Sequence, residues 1–468
     1  MNSSSTTSVA SLTELDRKHL IHPASSFRGH EARGATILTS GKGMYLTDAT
    51  GREVLDAFAG LWCVNAGYGQ ESIVRAAADQ MSRLAYATEY FGFASEPAIR
   101  LAQRIVDLAP RSLSRVFFTL GGSDAVDSAV RYVVHYFNAQ GNRNKKQFIA
   151  LERSFHGSSA IGSGLTSLAS FHRNFDVPHS WQHRIPSPYP YRNPVGQNPE
   201  DIIRQSIGHL HTKVQELGSQ NVAAFICEPI QGAGGVIVPP RGWLRAMRDT
   251  CSELGVLFIV DEVITGFGRT GKLFACEHEG ILPDVMTVAK GLTSGYAPMG
   301  AVLISEEIYA TIADAAPPGA PIGHGLTYSG HPVSSAVALE VLRLYLEGGL
   351  LANAQAMAAP FSHGLQQLQD HPLVGDVRSL GLLGAVELVC DKALRTQFDP
   401  GLQLSEKLFD IGYRNGIIFR AFADCTVGLA PALCCSSDNL QVMFHRLKIT
   451  LDEFLGEPEV HRAFKPSR

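Results

Sequence analysis

This 468-residue chain has no large excess of charge of one sign, no long apolar run and no cysteines spaced as a C-x-x-C pair. Charged residues make up 18% of it, with 40 Lys and Arg against 44 Asp and Glu. Because nucleic acids and anionic membranes select clustered positive charge, neither is expected as a partner. No apolar run approaches the roughly 18 residues of a membrane helix, and the Ser/Thr-rich start, Met1 to about Ala10, lacks a secretory pattern. The sequence therefore predicts a cytoplasmic protein.

The eight cysteines include no C-x-x-C pair, and most lie in apolar stretches such as Phe225-Ile226-Cys227. This pattern predicts reduced, mostly buried thiols rather than disulfides or zinc ligands. The 17 histidines are scattered along the chain, and no metal site is expected. The G-x-S-x-G, G-x-x-x-x-G-K-[ST] and H-E-x-x-H motifs are also absent, and Gly232–Gly235 lacks the spacing of a dinucleotide fingerprint.

The residues that are present predict a large α/β enzyme. Hydrophobic residues make up 45% of the chain, enough for a substantial core, and the length predicts two or three domains. Short apolar runs alternate with helical patterns between residues 116 and 304, which favours a mostly parallel sheet covered on both faces. The predicted strands are Val116–Leu120, Phe148–Leu151, Ala223–Cys227, Leu257–Val260, Val285–Val288 and Ala301–Ile304. The first two dozen residues are predicted to form a loosely held arm, and a smaller α+β domain is predicted after about residue 330.

Four segments with possible chemistry follow predicted strands, where open α/β sheets bind their ligands. Leu120–Ala125 (LGGSDA) precedes a predicted helix from Ala125 and could cradle a phosphate, with Ser123 both capping the helix and contacting the anion. An ordinary glycine turn with a serine cap explains the same residues. Ser154–Gly157 offers Phe155 as a flat face for an aromatic cofactor, although this segment taken alone favours a core phenylalanine.

The other two segments supply an acid and an amine. Asp261 and Glu262 end one apolar strand, where a carboxylate needs a partner, and Lys290 follows another strand among small residues. A capping acid and a solvated lysine are the alternatives. Together, however, a phosphate cradle, an aromatic face, a strand-end aspartate and a desolvated lysine are what pyridoxal phosphate requires.

At these residues the sequence resembles the class III aminotransferases, which are pyridoxal-phosphate enzymes of fold type I. The resemblance covers nearly the whole chain, from about Leu46 to the end. The runs that carry it are Val260–Gly271 (VDEVITGFGRTG), Thr287–Gly291 (TVAKG), Glu228–Gly232 (EPIQG) and Gly325–Pro332 (GLTYSGHP). It implies a large domain with a mostly parallel central sheet and a smaller α+β domain. The implied limits are 1–60 for an arm and part of the small domain, 61–329 for the large cofactor domain, and 330–468 for the C-terminal small domain.

The resemblance also implies roles for single residues. Lys290 is the lysine that holds the cofactor covalently, and Asp261 pairs with its pyridine nitrogen. The remaining cofactor-binding residues implied are Gly122, Ser123, Phe155, His156, Gly157, Glu228, Val263 and Thr327. Thr327 is expected to reach the neighbouring subunit's phosphate, which makes a homodimer, or a tetramer built from it, the active form.

Within the family, the chain looks most similar to ω-transaminases that use pyruvate as acceptor. Trp62 in LWCVN and Arg420 in GIIFRA match their substrate-binding aromatic and their mobile arginine, with Phe155 as a third substrate contact. Two departures are that Phe155 stands where this group usually has tyrosine, and that Gly121–Asp124 reads GGSD where many relatives have SGSE.

The leading hypothesis is therefore a ping-pong transfer of an amino group from an ω-amino acid or primary amine to pyruvate, giving alanine. A decarboxylase or aminomutase of the same fold is the alternative, and a regulatory protein with an inactive site is a third possibility. The donor stays open among β-alanine, 4-aminobutyrate, polyamines, taurine and aryl-alkyl amines.

Overall fold

The computed structural model describes residues 8–465. Its strands are β1 (Leu38–Lys42), β2 (Tyr45–Asp48), β3 (Glu53–Asp56), β4 (Leu113–Thr119), β5 (Gln147–Leu151), β6 (Gln182–Ile185), β7 (Val222–Cys227), β8 (Leu257–Asp261), β9 (Val285–Val288), β10 (Gly300–Ser305), β11 (Val374–Leu380), β12 (Leu383–Leu388), β13 (Ile417–Ile418), β14 (Arg420–Ala421) and β15 (Thr426–Leu429). Its α-helices are α1 (Val9–His19), α2 (Phe27–Arg33), α3 (Ala59–Trp62), α4 (Glu71–Arg83), α5 (Glu96–Leu108), α6 (Gly122–Ala139), α7 (Gly162–Leu165), α8 (Pro199–Leu217), α9 (Trp243–Glu253), α10 (Glu306–Ala315), α11 (Pro332–Leu346), α12 (Leu350–Gln367), α13 (Leu404–Arg414), α14 (Ser437–Gly456) and α15 (Pro458–Ala463).

A seven-stranded sheet forms the centre, in the order β4-β10-β9-β8-β7-β5-β6. The five strands from β9 to β6 are parallel to one another, whereas β10 is antiparallel to both β9 and β4. This arrangement confirms the predicted mostly parallel α/β fold. All six residues of β7 and all four residues of β9 are buried, which is why these strands appear in the sequence as continuous apolar runs.

Helices cover both faces of this sheet because consecutive strand residues point to opposite sides. In β8, Ile259 belongs to the same apolar cluster as Val126 and Val133 of α6. Its neighbour Phe258 belongs instead to the cluster that contains Trp243 of α9. Apolar packing therefore encloses both faces of the sheet. The side of the sheet that this packing leaves open is the one where the strands end.

Two four-stranded sheets lie outside the central one. The first, β1-β2-β3-β13, joins the N-terminal strands to the C-terminal part of the chain through the parallel pair β3 and β13. The second, β11-β12-β15-β14, is antiparallel and carries Arg420 at its β14 edge. Both contain residues from beyond 330, and the three domain limits given above stay a prediction.

Sequence predictions of local structure need correction in two segments. The described part of the N-terminal arm contains α1, whose N-cap is Ser8, and α2, whose N-cap is Ser26. The helix after β4 begins at Gly122 rather than Ala125, and its N-cap is Gly121, so Ser123 lies in the first turn and is not the cap.

The structure also bears on the predictions about cysteines, membrane helices and the N-terminal stretch. The eight cysteines, all within the described residues, are free thiols, and six of them are buried, as expected. No helix among residues 8–465 is long and apolar enough to cross a membrane. Most of the Met1–Ala10 stretch lies outside the described residues.

Candidate active site

The ends of β8 and β9 bring the strand-end acid and the strand-end lysine to one edge of the sheet. The two strands are adjacent and parallel, and Asp261 is paired in register with Thr287. Lys290 follows Thr287 by three residues, in the turn after β9. The separation of 29 positions between Asp261 and Lys290 is thus one crossover from a strand to its parallel neighbour.

A cavity of about 120 Å³ lies at this edge. It is lined by Gly122, Ser123, Phe155, His156, Gly157, Glu228, Asp261, Val263, Ile264 and Lys290. Nine of these ten residues are predicted cofactor-binding residues, and Ile264 was not predicted. A larger cavity of about 810 Å³, beside Trp181 and His324, contains neither the acid nor the lysine.

The Asp261 carboxylate is buried and held by two donors. His156 Nδ1 lies 2.8 Å from Oδ2, and the Val263 backbone N–H donates to Oδ1 at 3.1 Å. His156 is itself positioned by its backbone N–H, which donates to Thr166 Oγ1 at 2.9 Å. The imidazole Nε2 is buried without a hydrogen-bond partner in the chain. This arrangement orients one carboxylate rigidly toward the cavity.

Lys290 is held in an unusual conformation, with a backbone φ of 39°. A residue with a side chain is strained in this left-handed region, and such strain often occurs at functional sites. Desolvation lowers the pKa of the Lys290 amine below its usual range, while negative charge on Cys63, Asp261 and Glu228 acts in the opposite direction. A lowered pKa favours the neutral amine, which is the form that attacks a carbonyl or accepts a proton.

Two glycines that closely approach other residues shape the wall of the cavity at the start of α6. A Cβ on Gly157 would lie 2.7 Å from Ser123 Oγ and 2.8 Å from its Cα, and a Cβ on Gly122 would lie 2.9 Å from Val263 Cγ1. The Ser158 backbone N–H donates to Ser123 Oγ at 3.2 Å. The first turn of α6 and the segment after β5 therefore meet without side chains between them. Free N–H groups at the start of α6 suit an anion.

Phe155 and Glu228 form a connected pair on a neighbouring wall. Glu228 Oε1 accepts the Phe155 backbone N–H at 2.9 Å, and Oε2 accepts the Gly232 N–H at 2.9 Å. Burial raises the Glu228 pKa to about 7. The Phe155 ring packs edge to face on Phe171, with centroids 5.3 Å apart. Glu228 therefore contacts the loop that presents the aromatic ring.

An aromatic wall extends from the lysine toward Arg420. Lys290 Nζ lies 5.5 Å from the centre of the Trp62 ring, and the Phe422 ring stacks on Trp62 at 6.3 Å. Arg420 Cζ lies 5.5 Å from the Phe422 ring, and its residue is exposed. Phe58 packs edge to face on Trp62 at 4.6 Å. Arg420 is thus connected to the cavity through Phe422 and Trp62.

In the folded chain, Thr327 lies away from the cavity that contains Lys290. It is exposed, and its carbonyl oxygen accepts the Tyr86 hydroxyl at 2.9 Å. Tyr86 belongs to a strip of exposed aromatic residues packed beside the Thr327 segment. The members are Tyr86, Tyr90, Phe91, Phe93 and Tyr328. Thr327 therefore does not line the Lys290 cavity of its own chain.

Sequence reasoning missed two supporting residues and left the role of a third open. Phe58 and Phe422 complete the aromatic wall, and their only sequence signal is proximity to Trp62 and Arg420. Glu262, the second strand-end acid, is fully buried and accepts the backbone N–H groups of Ala275 at 3.0 Å and Cys276 at 2.8 Å. It stabilises the loop after β8 rather than facing the cavity.

Comparison with known proteins agrees with this geometry. A family model described as aminotransferase class-III matches residues 28–451. This chain belongs to the class III aminotransferases. The family match confirms the resemblance inferred from the sequence.

Relatives of this aminotransferase, and solved structures that are similar to it, cover nearly its full length. Putrescine–pyruvate aminotransferase of Pseudomonas aeruginosa is 40% identical over 443 residues, which is 94% of this chain and 95% of that protein. Diaminobutyrate–2-oxoglutarate transaminase of Halomonas elongata is 35% identical over 444 residues, covering 93% and 94%. An (S)-enantioselective ω-transaminase from Thermomicrobium roseum is 38% identical with a TM-score of 0.93, covering 96% of this chain and 99% of that one. The ω-transaminase of Pseudomonas jessenii in complex with PMP is 35% identical with a TM-score of 0.93, covering 95% and 98%.

Class III aminotransferases use pyridoxal phosphate, and the residues of this cavity fit that group. A Cβ on Gly157 would collide with Ser123 in the first turn of α6, whose backbone N–H groups suit an anion. Asp261 is a fixed carboxylate with a histidine behind it, and Lys290 is a desolvated amine at the same edge. A phosphate, an aromatic ring nitrogen and an aldehyde therefore each have a residue of suitable chemistry.

Proposed function

We propose that this aminotransferase transfers an amino group from an ω-amino acid or a primary amine to pyruvate, giving alanine. The observation that carries the proposal is the aromatic wall of Trp62 and Phe422 between Lys290 and the single guanidinium of Arg420. Such a wall accepts the apolar part of an amine, and an arginine at its end suits the carboxylate of an α-keto acid. Similarity to a putrescine–pyruvate aminotransferase supports the same donor and acceptor classes.

The cofactor, when bound, accepts the amino group and delocalises the electrons left when the donor loses its α-proton. In this proposal Lys290 Nζ holds the cofactor covalently and, once displaced by the donor, carries that proton to its new carbon. Its lowered pKa favours the free amine needed for this transfer. The Asp261 carboxylate, oriented by His156, would hold the pyridine nitrogen and favour its protonated form.

The other cavity residues position the cofactor in this proposal. Gly122, Ser123 and Gly157 would form the phosphate cradle, and Phe155 and Val263, which line the same cavity, would pack against the aromatic ring. Glu228 keeps the Phe155 backbone in place through its 2.9 Å hydrogen bond. Because Phe155 has no hydroxyl, its part in catalysis is limited to packing.

Arg420 is assigned the carboxylate of the acceptor and of carboxylate-bearing donors. Its side chain is exposed at the β14 edge and close to Phe422, so it can approach a carboxylate and move aside for an apolar group. The same pocket then accepts an amine without a carboxylate and, in the second half-reaction, a keto acid.

The proposed active form is a homodimer in which Thr327 contacts the partner subunit's cofactor phosphate. Two observations support it. Thr327 is exposed and remote from the cavity of its own chain, and the aromatic strip beside it is exposed, with Phe91 at 89%. An exposed apolar patch of this kind favours burial against a second copy.

The first test exposes the enzyme to an amine donor without any acceptor. We expect the absorption of the bound cofactor to change by one equivalent per site and then stop until pyruvate is added. Alanine should then form in step with the recovery of the absorption. Continued turnover without acceptor would indicate a decarboxylase or aminomutase, and recovery with 2-oxoglutarate but not pyruvate would contradict the proposed acceptor.

The second test changes Arg420 to Ala. Loss of a charged hydrogen bond is worth about 1.5–3 kcal/mol, so kcat/KM for pyruvate should fall roughly 10- to 100-fold. The half-reaction with a neutral amine such as an aryl-alkyl amine should change less than threefold by this reasoning. Arg414→Ala, at an exposed arginine of α13, is the matched control. Equal losses for pyruvate and for the neutral amine would rule out the assigned role.

A further inference from the structure

Three side chains outside the active site converge in the N-terminal segment. They are Asp16 on α1, His22 in the loop after α1, and His30 on α2. One potential ligand atom from each lies within 4.8 Å of the other two. The sequence places them 6 and 8 residues apart, which matches no metal motif, so only the folded segment brings them together.

Asp16 contacts both histidines, the first through a hydrogen bond and the second without one. His22 Nε2 lies 2.7 Å from Asp16 Oδ1, and His30 Nε2 lies 3.0 Å from Asp16 Oδ2. The second pair is buried, yet neither atom has a hydrogen-bond partner, because the approach is not aligned for a hydrogen bond. Two ligand atoms of one tetrahedral metal, each about 2.0–2.2 Å from it, lie about 3.3–3.6 Å apart and do not point at each other. The His30–Asp16 pair, at 3.0 Å without a hydrogen bond, is close to this arrangement.

The setting of the cluster also favours a bound ion. Neither α1 nor α2 contains a buried residue, so no apolar core joins these two helices. Helices of 11 and 7 residues are too short to be stable by themselves. Side chains of Asp16 and His30 are nevertheless only 12% exposed, whereas that of His22 is 31% exposed and leaves one side open to water.

We infer that Asp16, His22 and His30 form a binding site for a first-row divalent transition metal, such as Zn²⁺, that connects α1 to α2. Two imidazoles and one carboxylate are ligands that suit Zn²⁺, Co²⁺, Ni²⁺ and Fe²⁺, and water can complete the coordination on the open side. This site lies outside the cavity of Lys290 and Asp261, and its role is structural. It revises the expectation, drawn from the sequence, that the protein has no metal site.

The test titrates the holoenzyme, after treatment with a chelator, with Zn²⁺ and separately with Co²⁺. We expect one tight site per chain, with a Co²⁺ visible spectrum typical of nitrogen and oxygen ligands. A thiolate charge-transfer band would instead assign the ion to cysteines. Hydrogen exchange of residues 9–33 should slow on addition of Zn²⁺, because the ion binds only the folded arrangement of this segment.

Variants identify the ligands. His22→Gln and His30→Gln should each weaken Zn²⁺ binding at least about tenfold, since even changes behind a metal ligand cost about 10–100-fold. His19→Gln, at an exposed histidine of α1, is the matched control and should bind as the parent does. Aminotransferase activity serves as a folding control for every variant. Zn²⁺ binding of equal strength in the His22→Gln/His30→Gln double variant, or no stoichiometric binding by the parent, would overturn the inference.

Discussion

At the scale of single residues, burial decides how the carboxyl groups of this aminotransferase behave. Asp261 and Glu228 line the same cavity, but Asp261 has a histidine 2.8 Å away while Glu228 has only two backbone N–H donors. Burial raises the Glu228 pKa to about 7, so near neutral pH this group is close to half-protonated. Glu228 therefore couples proton binding to the position of the Phe155 loop.

The change Glu228→Gln tests this coupling. An amide has one carbonyl oxygen, so its NH₂ group would face one of the two backbone N–H donors, and we expect a loss of about 1–3 kcal/mol in the free energy of unfolding. Glu253→Gln, at an exposed residue of α9, should change it little. Denaturant unfolding of the apoenzyme and holoenzyme measures both.

The pH dependence of this loss has a defined sign. The native pKa of about 7 exceeds the ordinary value of 4.5, so between these values the native state binds more protons than the unfolded state. The stability that Glu228 contributes is fully present below about 4.5 and falls as pH rises toward 7. The difference between parent and Glu228→Gln should therefore shrink over this interval, and a difference that grows would show that the N–H donors outweigh burial.

At the scale of elements, the site forms at the ends of adjacent strands and at a point where two segments of the chain lie close together. The start of α6 and the segment after β5 meet where Gly157, with φ at 107°, passes Ser123. A side chain at Gly157 would be strained and would also collide with the backbone of that first turn. The proposed phosphate cradle depends on this contact.

A comparison of Gly157→Ala with Gly141→Ala should separate the effect of backbone strain from the effect of the collision with Ser123. Gly141 also has positive φ, at 82°, but a Cβ there would meet nothing within 4 Å. Both variants should lose roughly 1–2 kcal/mol of stability from the strained φ. Only Gly157→Ala should also weaken pyridoxal phosphate binding, by at least about tenfold, or ~1.4 kcal/mol. Absorbance titration of the apoenzyme measures this affinity, and equal affinity in the two variants would argue against the cradle.

At the scale of the whole molecule, the proposed dimer assigns Lys290 and Thr327 of each site to different chains. Lys290→Ala removes the amine, and Thr327→Asp places a negative charge where the proposal puts the phosphate. Co-expressed chains carrying one change each should form mixed dimers with one intact site and one doubly altered site. With random pairing in a two-fold symmetric dimer, about a quarter of the parent's activity should return.

The reverse mixture is the control for this prediction. A chain with both changes, paired with the parent chain, should give mixed dimers in which neither site is intact. Activity in those mixed dimers, together with none in the first mixture, would place Lys290 and Thr327 in the same site of one chain. Separation of mixed dimers by two different affinity tags makes both measurements possible.

Much of the fold and of the candidate site follows from local sequence pattern. Runs such as Ala223–Cys227 and Val285–Val288 are buried on both faces, so their apolar character indicated parallel strands directly. The polar N-terminal segment gave no comparable signal, because α1 and α2 bury no residue and depend on caps and on the Asp16 cluster. Ser123 was misplaced as a cap because the N-cap of α6 is Gly121, which has no side chain to signal it.

The sequence by itself determined six of the seven central strands and, through the resemblance to class III aminotransferases, the family and the cofactor, because continuous apolar runs and a few adjacent polar residues are local properties. Only the tertiary structure gave the physical reason why Asp261 rather than Glu262 faces the cavity: Asp261 meets His156, and Glu262 turns away to the backbone of Ala275 and Cys276. Successive residues at a strand end point in opposite directions, and their partners come from loops far along the chain. The same reason explains why Phe422 and the Asp16 cluster emerged only when the chain was folded.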